Sequence, residues 1–301
     1  MLLPTTEALP DQTPVDSVSA EQAAALMLDG HMAALSVITP ALPHITKASQ
    51  LMTHAIKGSG TLHYAAAGSS GLLALADCCE LAGTFGIWEK QVRIHMAGGI
   101  PVSAAMSGDV EDDIESARAI VGAATPKDVF IILSASGTTP FALAIATAVK
   151  AAGSKVIGMA NNVETPLLDL ADVPICLATG PEIIAGSTRL GAGTAQKAAL
   201  NIMSSLMGVQ LGHVYKGRMV NLIVDNEKLV NRATQVVAEI SGVSQSIAVE
   251  ALTMAEGRVK LAILLASGAD LGAANDLLTK HAGHLGPSLS TIKSSTTTID
   301  H

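Results

Sequence analysis

Five short, mostly apolar stretches recur through the first two-thirds of the chain, at Leu62–Ala66, Val92–Met96, Val129–Leu133, Lys155–Met159 and Val173–Leu177. Ala/Leu-rich segments with helical spacing separate them, for instance 71–83, 111–123 and 140–152. Apolar strands alternating with helices predict an α/β fold with a parallel sheet covered on both faces. Helical periodicity also runs over 20–57, with a break near Thr39-Pro40, and again over 192–212 and 226–240. After Gly242 the pattern shortens. SQSIAVEAL, RVKLAILLAS and LGAANDLLTKHA read as three small amphipathic helices separated by EG and GAD turns. The Pro/Thr/Asp-rich residues 1–17 are expected to lie extended over a surface, and the Ser/Thr-rich end, GPSLSTIKSSTTTIDH, to be loosely held. The expected division is therefore 1–240, a small helical domain at 241–286, and a flexible tail at 287–301.

Composition narrows the class. The chain is 49% hydrophobic but 2% aromatic, so its core must be built from Ala, Val, Ile, Leu and Met. A formal charge of −8 with no basic run speaks against nucleic acid, whose backbone requires clustered Lys and Arg. The opening MLLPTTEALPDQ lacks the basic and apolar regions of a signal peptide, and no apolar run approaches the ~20 residues that span a bilayer. Three cysteines, Cys78, Cys79 and Cys176, do not make a disulfide framework. The expectation is a soluble, cytoplasmic protein with no membrane partner.

Chemistry is suggested by two loops of small hydroxyl and glycine residues. AAGSSG (66–71) follows the first strand and SASGTTP (134–140) follows the third, each where a helix begins. Ligands of open parallel sheets bind beyond the carboxyl ends of the strands. Helix N-termini offer free N–H groups and a positive dipole end, hydroxyls add donors without bulk, and glycine lets the backbone approach. A single loop reads best as a helix cap. Two at strand ends indicate a phosphate cradle formed by Gly68, Ser69, Ser70, Ser134, Ser136, Gly137, Thr138 and Thr139. Neither loop has the glycine pattern of a dinucleotide or nucleoside triphosphate site.

The two loop units and EIIAGSTRLGAGTAQK (182–197) together resemble a sugar isomerase (SIS) domain. The ordered set TEALP, AAGSSGLLALADCCELAGTFG, MAGG, GDVEDD, GTAQK, VDNEKL and VKLAILLASGADLGAANDLL is similar to the N-acetylmuramic acid 6-phosphate etherase branch of that family. The resemblance implies a three-layer αβα SIS fold on a five-stranded parallel sheet. It also implies a small C-terminal helical domain similar to ubiquitin-associated domains, and a homodimer with shared active sites. The implied reaction eliminates the D-lactyl ether of a 6-phosphosugar and then adds water, with no cofactor and no metal. Its products are N-acetylglucosamine 6-phosphate and D-lactate. A phosphosugar isomerase, an etherase with another substituent, and a non-catalytic phosphosugar sensor are the competing readings.

By the same resemblance Glu111 in GDVEDD is the base that removes the C2 proton, and Glu80 in DCCELAG, 31 residues earlier, is the acid for the leaving ether. On residue type alone, Glu111 would be an acidic helix start. Glu80 lies on a mostly apolar helix, where an unpaired charge is costly. Glu182, Ser187 and Lys197 are expected to contact the ligand. His63 and His95 fall inside strands and read as core residues, and Cys78-Cys79 as packing. The family's Arg positions are occupied by Leu72 and Thr138, and the first loop opens Ala66-Ala67-Gly68 where Gly-Ala-Gly is usual. These departures leave the sugar substituent open.

Overall fold

The helix-periodic start forms α1 (Ala20–Ser36) and α2 (Ile38–Lys57), broken at Val37 and not at Thr39-Pro40. Ser19 begins α1 with a reciprocal capping box: its hydroxyl accepts from Gln22 N–H while the Gln22 side chain accepts from Ser19 N–H. Pro40 sits in the first turn of α2, where a missing N–H loses no helical bond. The computed structural model describes residues 4–104, 106, 110–122, 124–224 and 227–297.

An alternation follows: β1 (Leu62–Ala66), α3 (Gly68–Phe85), β2 (Val92–Met96), α4 (Ile114–Val121), β3 (Val129–Ser134), α5 (Pro140–Ala151), β4 (Lys155–Ala160), α6 (Pro166–Leu170), β5 (Val173–Cys176) and α7 (Gly191–Gln210). A small antiparallel pair, β6 (Val214–Tyr215) and β7 (Arg218–Met219), leads to α8 (Glu227–Ser241), α9 (Gln245–Met254), α10 (Val259–Ala266), α11 (Leu271–Lys280) and α12 (Leu285–Thr297). The chain divides into two compact units. One holds residues 4–79 and 89–206, the other 80–88 and 207–297.

In the first unit the strands pair in parallel in the order β2-β1-β3-β4-β5. β1, β3 and all but the first residue of β4 are buried, as expected of a sheet covered on both faces. Alternation assigns the faces. Ala65, Phe130 and Ile132 pack with Phe141, Ile145 and Val149 of α5. On the other side a buried knot joins β1, α3 and α7: Tyr64 Oη donates to Asp77 Oδ2 (2.9 Å), and Asn201 Nδ2 (2.8 Å) and Ser204 Oγ (3.0 Å) donate to Asp77 Oδ1. Three donors satisfy a carboxylate that burial would otherwise penalise. Burial, with Asp77 alongside, holds the Tyr64 phenol proton on well above its ordinary range.

Two sequence expectations are corrected in the second unit. The boundary at 240 cuts through a core, because α8 buries Ala233, Val236 and Val237 with Ala248, Leu252, Ile263 and Leu264. The residues expected to form a flexible tail from 287 are helical through 297. Leu285 and Leu289 are buried, and Ser288 Oγ donates to His284 O at 2.8 Å. Apolar spacing outweighs the Ser/Thr content there, since those hydroxyls satisfy themselves on the preceding turn. Residues 298–301 of that tail lie outside the described residues. Among the described residues no single helix is long and apolar enough to cross a membrane.

Within the sheet His63 and His95 stand side by side, Nδ1 to Nε2 at 2.8 Å, with His63 stacked on Phe130 at 4.2 Å. Burial, and for His63 the neighbouring His95, push both pKa values down to about 4. The unfolded chain therefore takes up protons between pH 6.5 and 4 that the folded chain refuses. Stability is fully present above about pH 7 and falls as the pH drops through that window, by up to about 2.7 kcal/mol per pH unit for two protons. Urea unfolding between pH 5 and 6.5 should show this slope. In His63→Phe, which keeps the stack and removes one titrating ring, the slope should roughly halve. An unchanged slope would assign the effect elsewhere.

Candidate functional site

The sheet order reverses between β1 and β3, which lie next to each other with Ala66 level with Leu133. Their carboxyl ends are the switch point of the fold, the place where open α/β sheets bind ligands. Both hydroxyl loops emerge there. A cavity of about 140 Å³ opens between them.

Each loop is shaped by its own residues. After β3, Ser134 is buried, and its Oγ accepts from Gly137 N–H (3.0 Å) and lies 2.8 Å from Thr139 Oγ1. Ser136 Oγ accepts from both Thr138 N–H (3.2 Å) and Thr138 Oγ1 (2.9 Å). Gly137 turns the chain with φ +72°, against Thr165. Pro140 then starts α5 with its φ already set for a helix. After β1, Gly68 takes φ +53° and Ser69 and Ser70 enter α3, whose first-turn N–H groups have no acceptor within the helix. Ser69, Ser70, Ser134, Ser136 and Thr139 all line the cavity. Gly68, Gly137 and Thr138 belong to the two loops but do not line it.

Glu111 joins them. Val110–Asp112 is a single 3₁₀ turn, and the cap of α4 is Asp113, whose Oδ1 accepts from Ser116 N–H at 3.0 Å. Glu111 is thus not spent on the helix start. Its carboxylate reaches Gly68 so closely that a β-carbon there would stand 2.8 Å from Oε1. Glycine at 68 suits its positive φ, and a β-carbon there would push the Glu111 carboxylate aside.

Other residues fall elsewhere. Glu80 is exposed near the end of α3, with Thr84 Oγ1 at 3.5 Å, and does not line this cavity. The desolvation expected of it from the apolar helix is absent because it faces water. Glu182 is buried, and both its oxygens accept from the start of α7: Oε2 from Gly191 N–H and Oε1 from Ala192 N–H, each at 2.8 Å. It closes a helix N-terminus and does not line the hydroxyl cavity, contrary to the ligand contact expected of it. Ser187 does not line it either; its neighbour Thr188 does. Lys197 is exposed on α7 and outside the cavity, as a surface lysine. Cys78 has its thiol pushed up to about 12, by burial first, and is no nucleophile.

Sequence reading missed Glu7 and Thr188. The Pro/Thr/Asp-rich start, expected to lie extended over a surface, is anchored through Thr5 and Thr6. Thr5 N–H and Oγ1 each donate to Asn162 Oδ1 at 2.7 Å, and Asn162 Nδ2 donates to Thr6 Oγ1 at 3.2 Å. That anchoring carries Glu7 into the cavity wall. The signal was the TEALP opening itself. Leu72 is exposed and Thr138 turns back onto Ser136, so neither supplies what an arginine would. The described lining contains hydroxyls, helix N–H groups and two carboxylates, Glu7 and Glu111, and no Lys or Arg.

The chain is similar to known proteins along most of its length. The SIS domain model matches residues 32–161. N-acetylmuramic acid 6-phosphate etherase of Deinococcus radiodurans is 38% identical over 259 residues, covering 85% of each chain. N-acetylmuramic acid 6-phosphate etherase 2 of Bacillus licheniformis is 36% identical over 276 residues, covering 91% of this chain and 93% of its own. A crystal structure of a putative phosphosugar isomerase involved in capsule formation, from Bacteroides fragilis, aligns with TM-score 0.51 at 19% identity. It covers 65% of this chain and 93% of the other, and bears on the fold alone.

Gly137 gives a direct check of the loop. Gly137→Ala combines a positive φ with overlap on the Thr165 side chain. It should destabilise the protein by about 2 kcal/mol or more in urea unfolding. A neutral result would show that the loop does not hold this turn.

Proposed function

The chain belongs to the N-acetylmuramic acid 6-phosphate etherase family, and we propose that it cleaves the D-lactyl ether of N-acetylmuramic acid 6-phosphate with Glu111 as the base. The observation that carries the assignment is the placement of the Glu111 carboxylate over Gly68, inside the hydroxyl-lined cavity at the switch point. The reaction is a carbon–oxygen lyase reaction. The phosphate docks on the serines and helix N-termini of the two loops. The sugar opens to its aldehyde, which acidifies C2–H. Glu111 takes that proton, and the electron pair forms the C2–C3 double bond as the C3–O bond breaks. The lactate oxygen leaves with a proton from a general acid. Water then adds at C3 and a proton returns to C2, giving N-acetylglucosamine 6-phosphate and D-lactate.

Family resemblance assigns the acid to Glu80. A second reading rests on a specific observation: Glu7 lines the cavity and Glu80 does not. In that reading Glu7 protonates the leaving oxygen. A second copy of the chain is the natural partner. Leu28, Met32 and Leu35 of α1 are exposed at 60%, 61% and 44%, at i, i+4 and i+7, the spacing of an apolar seam. A homodimer formed there, acting in the cytoplasm on a recycled cell-wall sugar, completes the reading.

Incubation with N-acetylmuramic acid 6-phosphate, with enzymatic detection of D-lactate, is the primary test; no release ends the assignment. Glu111→Gln keeps shape and hydrogen bonding but cannot accept a proton. It should lower lactate release by about 10²–10⁴-fold and abolish exchange of the C2 proton with deuterium. Undiminished exchange would remove Glu111 as the base. Glu80→Gln and Glu7→Gln separate the two acids: the true one loses lactate release but retains some exchange. For the cradle, Ser136→Ala should raise KM roughly tenfold or more, matching about 1.5–3 kcal/mol for a hydrogen bond to a charged group. Unchanged KM in Ser136→Ala and in Ser69→Ala would exclude these hydroxyls from phosphate binding.

A further inference from the structure

The turn that brings Glu7 to the cavity is too short to hold itself. Thr5–Glu7 is a single 3₁₀ turn with no side-chain cap, closed by Glu7 N–H to Pro4 O (3.0 Å) and Ala8 N–H to Thr5 O (3.1 Å). One isolated turn is unfavourable in water, because it fixes several backbone angles in return for few bonds. Among the described residues no ion pair holds the Glu7 carboxylate. Its position must come from the residues packed around the turn.

Two contacts supply it. Asn162, 5% exposed, follows β4 and lies beside the loop after β3, where Asn161 N–H donates to Ala135 O at 3.0 Å. Asn162 Oδ1 accepts from Thr5 N–H and from Thr5 Oγ1, each at 2.7 Å. Its Nδ2 donates to Thr6 Oγ1 (3.2 Å) and to Ala135 O (2.9 Å). A carboxamide offers two acceptor sites and two donor hydrogens, and here all four are used. One planar group thus grips the turn with three bonds and the cradle loop with the fourth, since Ala135 lies between Ser134 and Ser136 and lines the cavity. The second contact is Gly186. Its N–H donates to Thr6 O at 3.1 Å, and a β-carbon there would stand 2.7 Å from Glu7 Oε2. Thr6, between the two, is fully buried.

We propose that Asn162 is a positioning residue for ether cleavage: its carboxamide ties the Thr5–Glu7 turn to the cradle loop and so sets the Glu7 carboxylate against a sugar whose phosphate the same loop holds. This rests on the reading in which Glu7 protonates the leaving oxygen. A proton donor must stand within hydrogen-bond reach of the oxygen it serves, and a displacement of about 1 Å costs on the order of 10²-fold. The hydroxyls of the cradle keep their own bonds without the tie, so the loss belongs to kcat and not to KM.

The test is made in the full-length protein. Asn162→Ala should lower kcat for D-lactate release from N-acetylmuramic acid 6-phosphate by about 10–100-fold and leave KM within about threefold. In a Glu7→Gln background the same substitution should cost no more than about twofold, since no acid is left to position. An asparagine that only supports the fold would cost the same factor in both backgrounds. Thr5→Val/Thr6→Val repeats the test from the other side of the tie: it keeps side-chain size, leaves Asn162 joined to Ala135, and removes the two hydroxyls. It should lower kcat as well and add nothing to Glu7→Gln. Amide hydrogen exchange, read by mass spectrometry without substrate, should speed up by roughly tenfold or more for residues 4–9 in both variants, while residues 129–141 keep their rate. Unchanged kcat, a rise in KM alone, equal losses with and without Glu7, or unchanged exchange at residues 4–9 would overturn the proposal. So would a Glu7→Gln variant that releases lactate at the full rate, and the Glu111 assignment would then keep its own test. No lactate from the unaltered protein would end the etherase reading and this proposal with it, and the exchange measurement would then show whether the tie itself exists.

Discussion

The parallel pairing of β1 with β3 is the constraint on which the candidate site depends. Its register sets Ala66 level with Leu133, so the two strands end within one residue of each other. Each strand then has to hand its chain to a helix on leaving the sheet, β1 to α3 and β3 to α5. A one-residue slip would turn every side chain of a strand to the opposite face and offset the two loops. Phe130 and Ile132 on one face, and Val129, Ile131 and Leu133 on the other, are all buried and make such a slip prohibitive. The hydrophobic pattern of two strands thereby fixes where two polar loops meet.

What the loops do with that placement is unusual in its charge. Anion sites commonly rely on Lys or Arg, yet the described lining here holds hydroxyls, helix N-termini, two carboxylates and the apolar Ala67, Leu133 and Ala135, with no Lys or Arg. Small side chains keep the two helix starts close to any bound group, which makes their dipoles effective. Among the described residues no cation pairs with Glu111, which suits the proton transfer proposed for it. The glycine at 68 is the complement of that carboxylate: a β-carbon would displace it. The N-terminal segment adds Glu7 through its anchoring on Asn162, so a stretch with little secondary structure becomes part of the wall.

Glu182 shows how the chain satisfies a helix start: one buried carboxylate accepts from two successive N–H groups of α7.

The sequence by itself determined the elements. Continuous apolar runs separated by Ala/Leu-rich helical segments located the five strands to within a residue, and the hydroxyl loops at their ends mark where the cavity opens. Local interactions dominate in both cases, so local patterns suffice. It also named Glu111, through an ordered set of motifs that follows a family. Only the tertiary structure decided which polar residues share a cavity. Glu182 and Lys197 lie in a motif beside Thr188, yet one caps a helix and the other faces water. Glu7 lies more than a hundred residues from either Glu111 or Ser134, and joins them because Asn162 holds its segment. The helical end of the chain was likewise invisible in composition, since Leu285 and Leu289 form α12 by burial against a core assembled from distant helices. Such placements depend on long-range contacts, which no window of the sequence contains.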